Sequence, residues 1–287
     1  MGLLDGLEAL GIKNISAEDI YKEEPKEVKK AENTVVQKKT TVDEKDLIFP
    51  KKTQCPICDN VINHMTVKSG RARLLSSGRD LRPIYDGIEP IKYEMIVCQN
   101  CGYAVMGRFL GPLAPTQRKL IIENISQTYK SAPEPSGVIP FELALQRIQL
   151  TLVSAVVKKA KASEKAYICL KGGYLCESFL DDLDPSDEDY EIYKEEITKK
   201  KKEFMDSAYE GLIQARANES FPIAGMDEIT VDYILAVLAL DRGELEVSSK
   251  MVAKVLQSTT ASSRIKDKAR DLKAEIVTLI NARKSAK

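Results

Sequence analysis

The spacing of apolar positions divides the chain into a short part of mixed pattern and a long helical part. From about Thr116 onwards, apolar residues recur at helical spacing, and no alternating pattern typical of strands competes with them. Proline and glycine fall between the periodic segments, as expected where helices end. The pattern predicts helices near residues 116–131, 141–160, 163–182, 187–218, 228–241, 244–258 and 262–284.

The segment before these helices has a different pattern. Glycine and proline interrupt it repeatedly, and residues 92–97 lead into Cys98 with the composition of a β-strand. We therefore predict a small β domain over residues 49–112, followed by an α-helical domain over residues 113–287. The expected fold class is mainly α, with a small β ribbon placed before an antiparallel helical array.

Two further segments precede the β domain. Residues 22–48 are dense in Lys and Glu and poor in large apolar side chains, so they are predicted to form a flexible linker. Residues 1–21 are predicted to form a short amphipathic helical element. Its apolar stripe could dock on a partner, on a second copy of the chain or on its own protein, and the pattern leaves these alternatives open. The stripe consists of Leu3, Leu4, Leu7 and Leu10.

Composition narrows the function classes. The chain has 287 residues, with 43 Lys and Arg balanced by 43 Asp and Glu, so there is no global field that would attract nucleic acid or a membrane surface. No apolar run is long enough for a transmembrane helix, and the first residues lack the basic region and cleavage site of a signal peptide. We expect a cytoplasmic protein, in which cysteines stay reduced.

Four of the six cysteines form two pairs with metal-ligand spacing, Cys55-Pro-Ile-Cys58 and Cys98-Gln-Asn-Cys101. Each such turn brings two thiolates together, and two turns complete a tetrahedron around a metal. Gly102 follows the second pair and can adopt a positive φ, which lets backbone N–H groups point at the sulfurs. We predict one structural zinc ion bound by Cys55, Cys58, Cys98 and Cys101. The alternatives are a redox dithiol at the first pair, another metal, or no metal.

Four cysteine ligands leave no open position for a substrate, so the predicted zinc is structural rather than catalytic. His64 could replace a cysteine in principle, but it lies only six residues after Cys58, and we expect a surface or turn histidine. The sequence contains no nucleophile–base pair, phosphate-binding loop, dinucleotide fingerprint or deaminase signature. No catalytic and no further cofactor-binding residues are predicted.

A basic stretch lies between the two cysteine pairs and could contact nucleic acid or a protein partner. Residues 50–111 hold nine Lys and Arg against five Asp and Glu, and a zinc tetrathiolate would reduce that excess to about two charges. Such an excess is small compared with surfaces that neutralise several phosphates, so a solvated face or a protein contact is favoured. The residues concerned are Lys68, Arg71, Arg73, Arg79 and Arg82.

The helical part contains one informative segment and two further cysteines. Residues 232–256 resemble a tetratricopeptide (TPR) hairpin, with small residues in the helices and Gly243 at the turn. Ser248 and Ala239 depart from that pattern, and a generic helical bundle is the alternative. Cys169 and Cys176 are seven residues apart on one helical face, which indicates small buried residues rather than metal ligands.

The motifs together resemble a known family. Residues 85–104, which end in Cys-Gln-Asn-Cys-Gly-Tyr-Ala, and the upstream Cys-Pro-Ile-Cys are similar to the uncharacterised bacterial domain of unknown function numbered twenty-two twenty-five. The resemblance covers roughly residues 50–283, and it implies a zinc ribbon joined to TPR-like helices. Family members often have Asn where this chain has Glu89. The resemblance implies no activity.

The sequence therefore predicts a non-enzymatic cytoplasmic protein that binds another protein. A zinc ribbon docks on a TPR-like helical array, and the stacked helices offer a surface for the partner. One alternative is a nucleic-acid-binding ribbon, and another is an enzyme with an unrecognised site.

Overall fold

The computed structural model describes residues 43–130 and 134–285, with side chains through residue 283. The predicted helical element over residues 1–21 lies outside the described residues, as does most of the predicted linker. The last residues of that linker belong to the folded β part. Asp43 caps helix α1 (Glu44–Leu47), and its carboxylate accepts a hydrogen bond from the Lys45 N–H at 3.1 Å. The β part begins before residue 49 because Leu47 and Ile48 are apolar and buried in its core.

The described β part consists of three two-stranded antiparallel sheets. Before the third sheet, the chain makes a 3-10 turn at Pro90–Tyr93, where the Glu89 carboxylate accepts the Ile91 N–H at 3.0 Å. The strand predicted at residues 92–97 is therefore shortened at its start. The pairs are β1 (Ile48–Gln54) with β2 (Val61–Val67), β3 (Leu74–Ser77) with β4 (Pro83–Tyr85), and β5 (Met95–Val97) with β6 (Ala104–Met106).

The rest of the described chain consists of helices and the loops that connect them, which confirms the predicted fold class. Each helix lies close to its predicted segment. Most of the helices bury one apolar face against the core, whereas the helix Glu228–Asp241 is buried on all sides from Val231 to Leu240. The helix that begins at Pro115 continues into a single π-helical turn over Ile122–Ser126. The helices are α2 (Pro115–Ile121), α3 (Phe141–Val157), α4 (Ala162–Asp182), α5 (Tyr190–Asn218), α6 (Glu228–Asp241), α7 (Leu245–Gln257) and α8 (Ser263–Ser285).

The β part and the first long helices share one hydrophobic core. Tyr93, Met95 and Met106 of the β part are buried in the same cluster as Ile148 of α3 and Leu175 of α4. A separate cluster joins α6, α7 and α8. The ribbon is thus anchored on α3 and α4 by apolar burial.

Helices α6 and α7 form a hairpin at Gly243, whose φ is +77°. Ser248 of α7 is fully buried, and its hydroxyl donates to the Ala236 carbonyl of α6 at 2.7 Å. Small residues therefore bring the two helices close together, while kinship with TPR repeats stays a prediction. On α4, Cys169 and Cys176 are buried as expected, and burial raises the pKa of the two thiols to about 11 and about 12.

None of the helices in the described ranges combines the length and the apolar composition needed to cross a membrane.

Candidate metal centre

The two cysteine pairs lie in two turns with the same backbone hydrogen bonds. One turn connects β1 to β2, and the other connects β5 to β6. In each turn the N–H of the first cysteine donates to the carbonyl five residues later, from Cys55 to Asn60 at 2.9 Å and from Cys98 to Tyr103 at 2.8 Å. These bonds continue the antiparallel ladders, so each hairpin carries a rigid turn that presents two sulfurs.

Both turns close with a left-handed residue directly after the second cysteine. Asp59 has a φ of +60° and Gly102 a φ of +73°. Their N–H groups donate back to the carbonyls of Cys55 and Cys98 at 3.0 and 2.9 Å. Asp tolerates this conformation and glycine adopts it freely, so the residue types after each pair suit the turn.

The two turns face each other and gather their four sulfurs into one cluster. All four Sγ atoms lie within 4.8 Å of one another, and the Cys55–Cys101 and Cys58–Cys98 sulfur pairs are 3.6 Å apart. Sulfurs bound to a tetrahedral zinc at ~2.3 Å lie about 3.8 Å apart, whereas disulfide sulfurs are bonded at ~2.05 Å. The cysteines are free thiols, and their spacing fits a candidate metal site with four sulfur donors.

The electrostatics of the cluster also favour a cation. The hydrogen bond shared with Cys101 lowers the pKa of Cys55 to about 5, and the same bond raises the pKa of Cys101. Burial raises the pKa of Cys98 to about 11. Four neighbouring thiolates repel one another unless a positive charge lies among them, so a bound cation would favour loss of the thiol protons.

Hydrogen-bond donors around the cluster stabilise sulfur charge. The Ile57 N–H donates to the Cys55 sulfur at 3.4 Å, and the Asn60 amide donates to the Cys58 sulfur at 3.5 Å. Burial acts to raise the pKa of Cys58, but hydrogen bonds from Asn100 and Asn60 outweigh it and lower that pKa. Such outer donors are typical of metal–thiolate centres.

The surroundings of the cluster are apolar. Ile57, Ile62 and Ile96 of the β part pack around the sulfurs, and Ile121 and Ile125 of the α2 segment cover them from the helical side. Cys55, Cys98 and Cys101 are buried, and Cys58 is half-buried. The arrangement can hold a metal with a complete set of protein ligands, and it provides no open coordination position.

His64 is neither a surface nor a turn residue, contrary to the sequence-based expectation. It lies in β2, where alternation places it on the same covered face as Ile62, and its side chain is buried. Its Nε2 lies 3.0 Å from the Thr53 hydroxyl. The sulfur cluster does not include it.

The basic stretch between the cysteine pairs serves largely to dock the β3–β4 hairpin on the helices. Arg79 forms ion pairs with Asp241 of α6 and, at 2.8 Å, with Glu275 of α8. Arg82 is buried and donates to Ser178 at 2.9 Å and to Asp181 at 2.7 Å, both on or at the end of α4.

The remaining three basic residues do not restore a continuous basic surface. The Lys68 ammonium donates to the Asp46 carbonyl at 2.8 Å. Arg71 and Arg73 are exposed, and within the described part of the chain their side chains have no hydrogen-bond or ion-pair partner. Two free guanidinium groups are few for phosphate binding, and nucleic-acid contact stays a prediction.

Sequence reasoning assigned no role to Glu89. Its carboxylate, besides capping the 3-10 turn, accepts a hydrogen bond from the Ser178 hydroxyl of α4. It thereby links the ribbon to the same helix that Arg82 contacts. Ser178 is 89 residues away in the sequence, so no local pattern predicts that it contacts Glu89. The only sequence feature that distinguished this position was that members of the resembled family often have Asn there.

The paired cysteine turns and the helical array define a helical protein that carries a four-cysteine ribbon. A family model described as an uncharacterized protein conserved in bacteria (DUF2225) matches residues 48–276. The chain belongs to this family, which confirms the resemblance found in the cysteine motifs. No curated protein and no solved structure matches the chain significantly.

Proposed function

We propose that the protein is a non-enzymatic adaptor, in which one structural zinc ion stabilises the ribbon and the helical half binds another protein. The observation that carries the proposal is the closed cluster of four sulfurs, from Cys55, Cys58, Cys98 and Cys101. A shell of four cysteine ligands stabilises a fold and leaves no position for substrate.

Zinc suits this site for chemical reasons. Thiolates are soft ligands, and a tetrahedral set of four selects zinc or iron rather than magnesium or calcium. The bound ion would supply the positive charge that four adjacent thiolates require. The proposal places the protein in the cytoplasm, a reducing compartment in which the thiols remain available to the metal.

The helical half supports a protein-binding role through its surface. Ile192 and Ile213 on α5, and Val277 and Leu279 on α8, expose large apolar side chains to solvent. The basic residues that would favour nucleic acid are partly used within the molecule, as described for Arg79 and Arg82. A protein partner is therefore the better fit.

An enzyme would gain support from a pocket with converging carboxylates. One cleft of about 520 Å³ has a single lining carboxylate, Glu94, which is paired with Lys171 at 2.8 Å. A second cleft of about 640 Å³ is lined by Glu164 and Glu219. Glu164 is paired with Lys158 at 2.7 Å, and Glu219 accepts the Ser163 N–H at 2.9 Å. These contacts assign the three carboxylates to structure.

The test is affinity capture by the full-length chain from native cells, followed by reconstitution with the purified partner. Ile192 is 66% exposed, so Ile192→Ser removes apolar surface without opening a cavity. Glu195→Ser, at another exposed position of α5, is the matched control. We expect Ile192→Ser to weaken partner binding and Glu195→Ser to preserve it. Failure to reconstitute binding to any captured protein would contradict the adaptor role.

A further inference from the structure

A cleft of about 520 Å³ opens beside the β1–β2 ribbon, on the face that carries Lys51, Thr53, His64 and Thr66. The strand register pairs Lys51 directly with His64, and alternate residues along each strand point to the same side. Two hydroxyls, one imidazole and one ammonium group therefore line the same wall. The volume is within the usual range of small-molecule sites, ~300–1,000 Å³.

The cleft is also lined by apolar and basic side chains from the rest of the molecule. Ile96, Met106 and Leu110 provide apolar surface, and Arg108 and Tyr167 are further lining residues. The Arg108 guanidinium lies over the Tyr167 ring, 4.4 Å from its centroid. Stacking restricts the guanidinium, so less freedom is lost when it binds an anion.

The cleft carries positive charge that the described residues leave uncompensated. The side chains of Lys51 and Arg108 make no ion pair and no hydrogen bond within the described ranges. The one carboxylate in the lining, Glu94, is already paired with Lys171 of α4. An incoming anion would thus meet two free cations beside the hydroxyl and imidazole groups of the wall.

We propose that this cleft binds a small organic anion, whose phosphate or carboxylate group pairs with Lys51 and Arg108. Guanidinium and ammonium groups bind such oxyanions through charge-assisted hydrogen bonds. The apolar body of the ligand packs on Ile96 and Met106, and the hydroxyl of Thr66 is available to its polar groups. None of the four cysteines lines the cleft, and the proposal does not depend on the adaptor role.

The chain offers an internal reporter for this site, because His64 is its only histidine. The ring resonances of His64 are therefore unambiguous in an NMR spectrum of the full-length, metal-loaded protein. Three probes of similar size are titrated: phenyl phosphate, benzoate and the neutral benzyl alcohol. We expect saturable shifts of the His64 resonances with one or both anions, and much weaker binding of benzyl alcohol.

Variants identify the cations that hold the ligand. Lys51→Gln and Arg108→Gln should each weaken anion binding by about tenfold, as expected for a lost hydrogen bond between charged groups. Arg108→Lys keeps the charge and should retain part of the affinity. Lys52→Gln is the matched control, since Lys52 is the exposed neighbour on β1 and points to the other side.

Preference for phenyl phosphate would identify a phosphate ligand, and equal or stronger binding of benzoate would identify a carboxylate ligand. The proposal is wrong if neither anion shifts His64 saturably. It is also wrong if benzyl alcohol binds as tightly as the anions, or if Lys52→Gln weakens binding as much as Lys51→Gln.

Discussion

The Tyr129 ring packs directly against Gly102, where the second cysteine turn returns to strand β6. A Cβ atom added at position 102 would lie only 2.6 Å from Cδ2 of Tyr129. Gly102 also has a φ of +73°, a backbone conformation that residues other than glycine adopt only at an energetic cost. Two independent requirements therefore exclude a side chain at this position, and both involve the turn that presents Cys98 and Cys101.

Gly102→Ala should destabilise the protein by about 3 kcal/mol, since backbone strain and overpacking against Tyr129 add together. Urea unfolding measures this change. Gly70→Ala is the matched control, because Gly70 has a φ of +70° with no atom within 4 Å of the added Cβ. It should cost only about 1 kcal/mol. Equal effects of the two substitutions would contradict the role of Tyr129.

The docking role of the basic hairpin predicts a graded series of arginine substitutions. Arg82→Ala should cost about 2 kcal/mol, because it removes charged hydrogen bonds from a buried side chain. Arg79→Ala breaks ion pairs that are about half exposed and should cost about 1 kcal/mol. Arg71→Ala should change stability by less than about 0.5 kcal/mol. Urea unfolding of the three variants checks the order, and an equal effect at Arg71 and Arg82 would contradict it.

The same contacts bear on nucleic-acid binding. With Arg79 and Arg82 paired internally, RNA binding at low salt should be weak and should depend little on salt concentration. Fluorescence anisotropy with labelled single-stranded RNA measures both quantities. Tight binding that falls steeply with salt, and that Arg71→Ala and Arg73→Ala reduce together, would instead support the nucleic-acid alternative.

The ionisation of Glu89 should contribute to the pH dependence of the protein's stability. Burial raises the pKa of Glu89, although hydrogen bonds from Ser178 and the Ile91 N–H oppose the shift. The Glu89 carboxyl group therefore stays protonated to a higher pH in the folded state than in the unfolded state. The stability that this protonation contributes is lost as pH rises from about 4.5 through the folded-state pKa. Glu89→Gln removes the ionisation, and its amide can still accept the Ile91 N–H and donate to the Ser178 hydroxyl.

The unfolding free energy of Glu89→Gln should therefore rise relative to that of the wild type as pH increases from about 4.5 through the raised pKa of folded Glu89. Urea unfolding at a series of pH values gives the difference. Glu203→Gln, on an exposed face of α5, serves as control. A difference that stays constant, or that moves in the opposite direction, would show that Glu89 does not carry this linkage.

Local patterns were sufficient to predict most of the fold. The helices follow from periodic apolar residues, and the turn at Gly243 follows from its residue type. Errors arose where polar side chains changed the local structure. Helix α5 begins at Tyr190 rather than near residue 187, since the Asp184 and Asp187 carboxylates accept backbone N–H groups in preceding turns.

Contacts between segments that are distant in the sequence could not be predicted from local sequence patterns. The cysteine cluster was an exception, because metal ligands have characteristic spacing within each pair. Arg82 and Asp181 are separated by 99 residues, and no local pattern indicates that they meet. The basic stretch was accordingly interpreted as a surface, whereas Arg79 and Arg82 are docking residues. The burial of His64 likewise depends on packing that only the folded structure defines.

Metal analysis of the purified chain tests the four-cysteine site most directly. Mass spectrometry should find about one zinc per chain in the wild type. Cys98→Ser should lose the zinc and unfold the ribbon, because metal binding contributes folding free energy. Cys169→Ser, which alters a buried cysteine outside the cluster, should retain it. A fully folded wild-type chain without stoichiometric zinc would contradict the structural zinc centre.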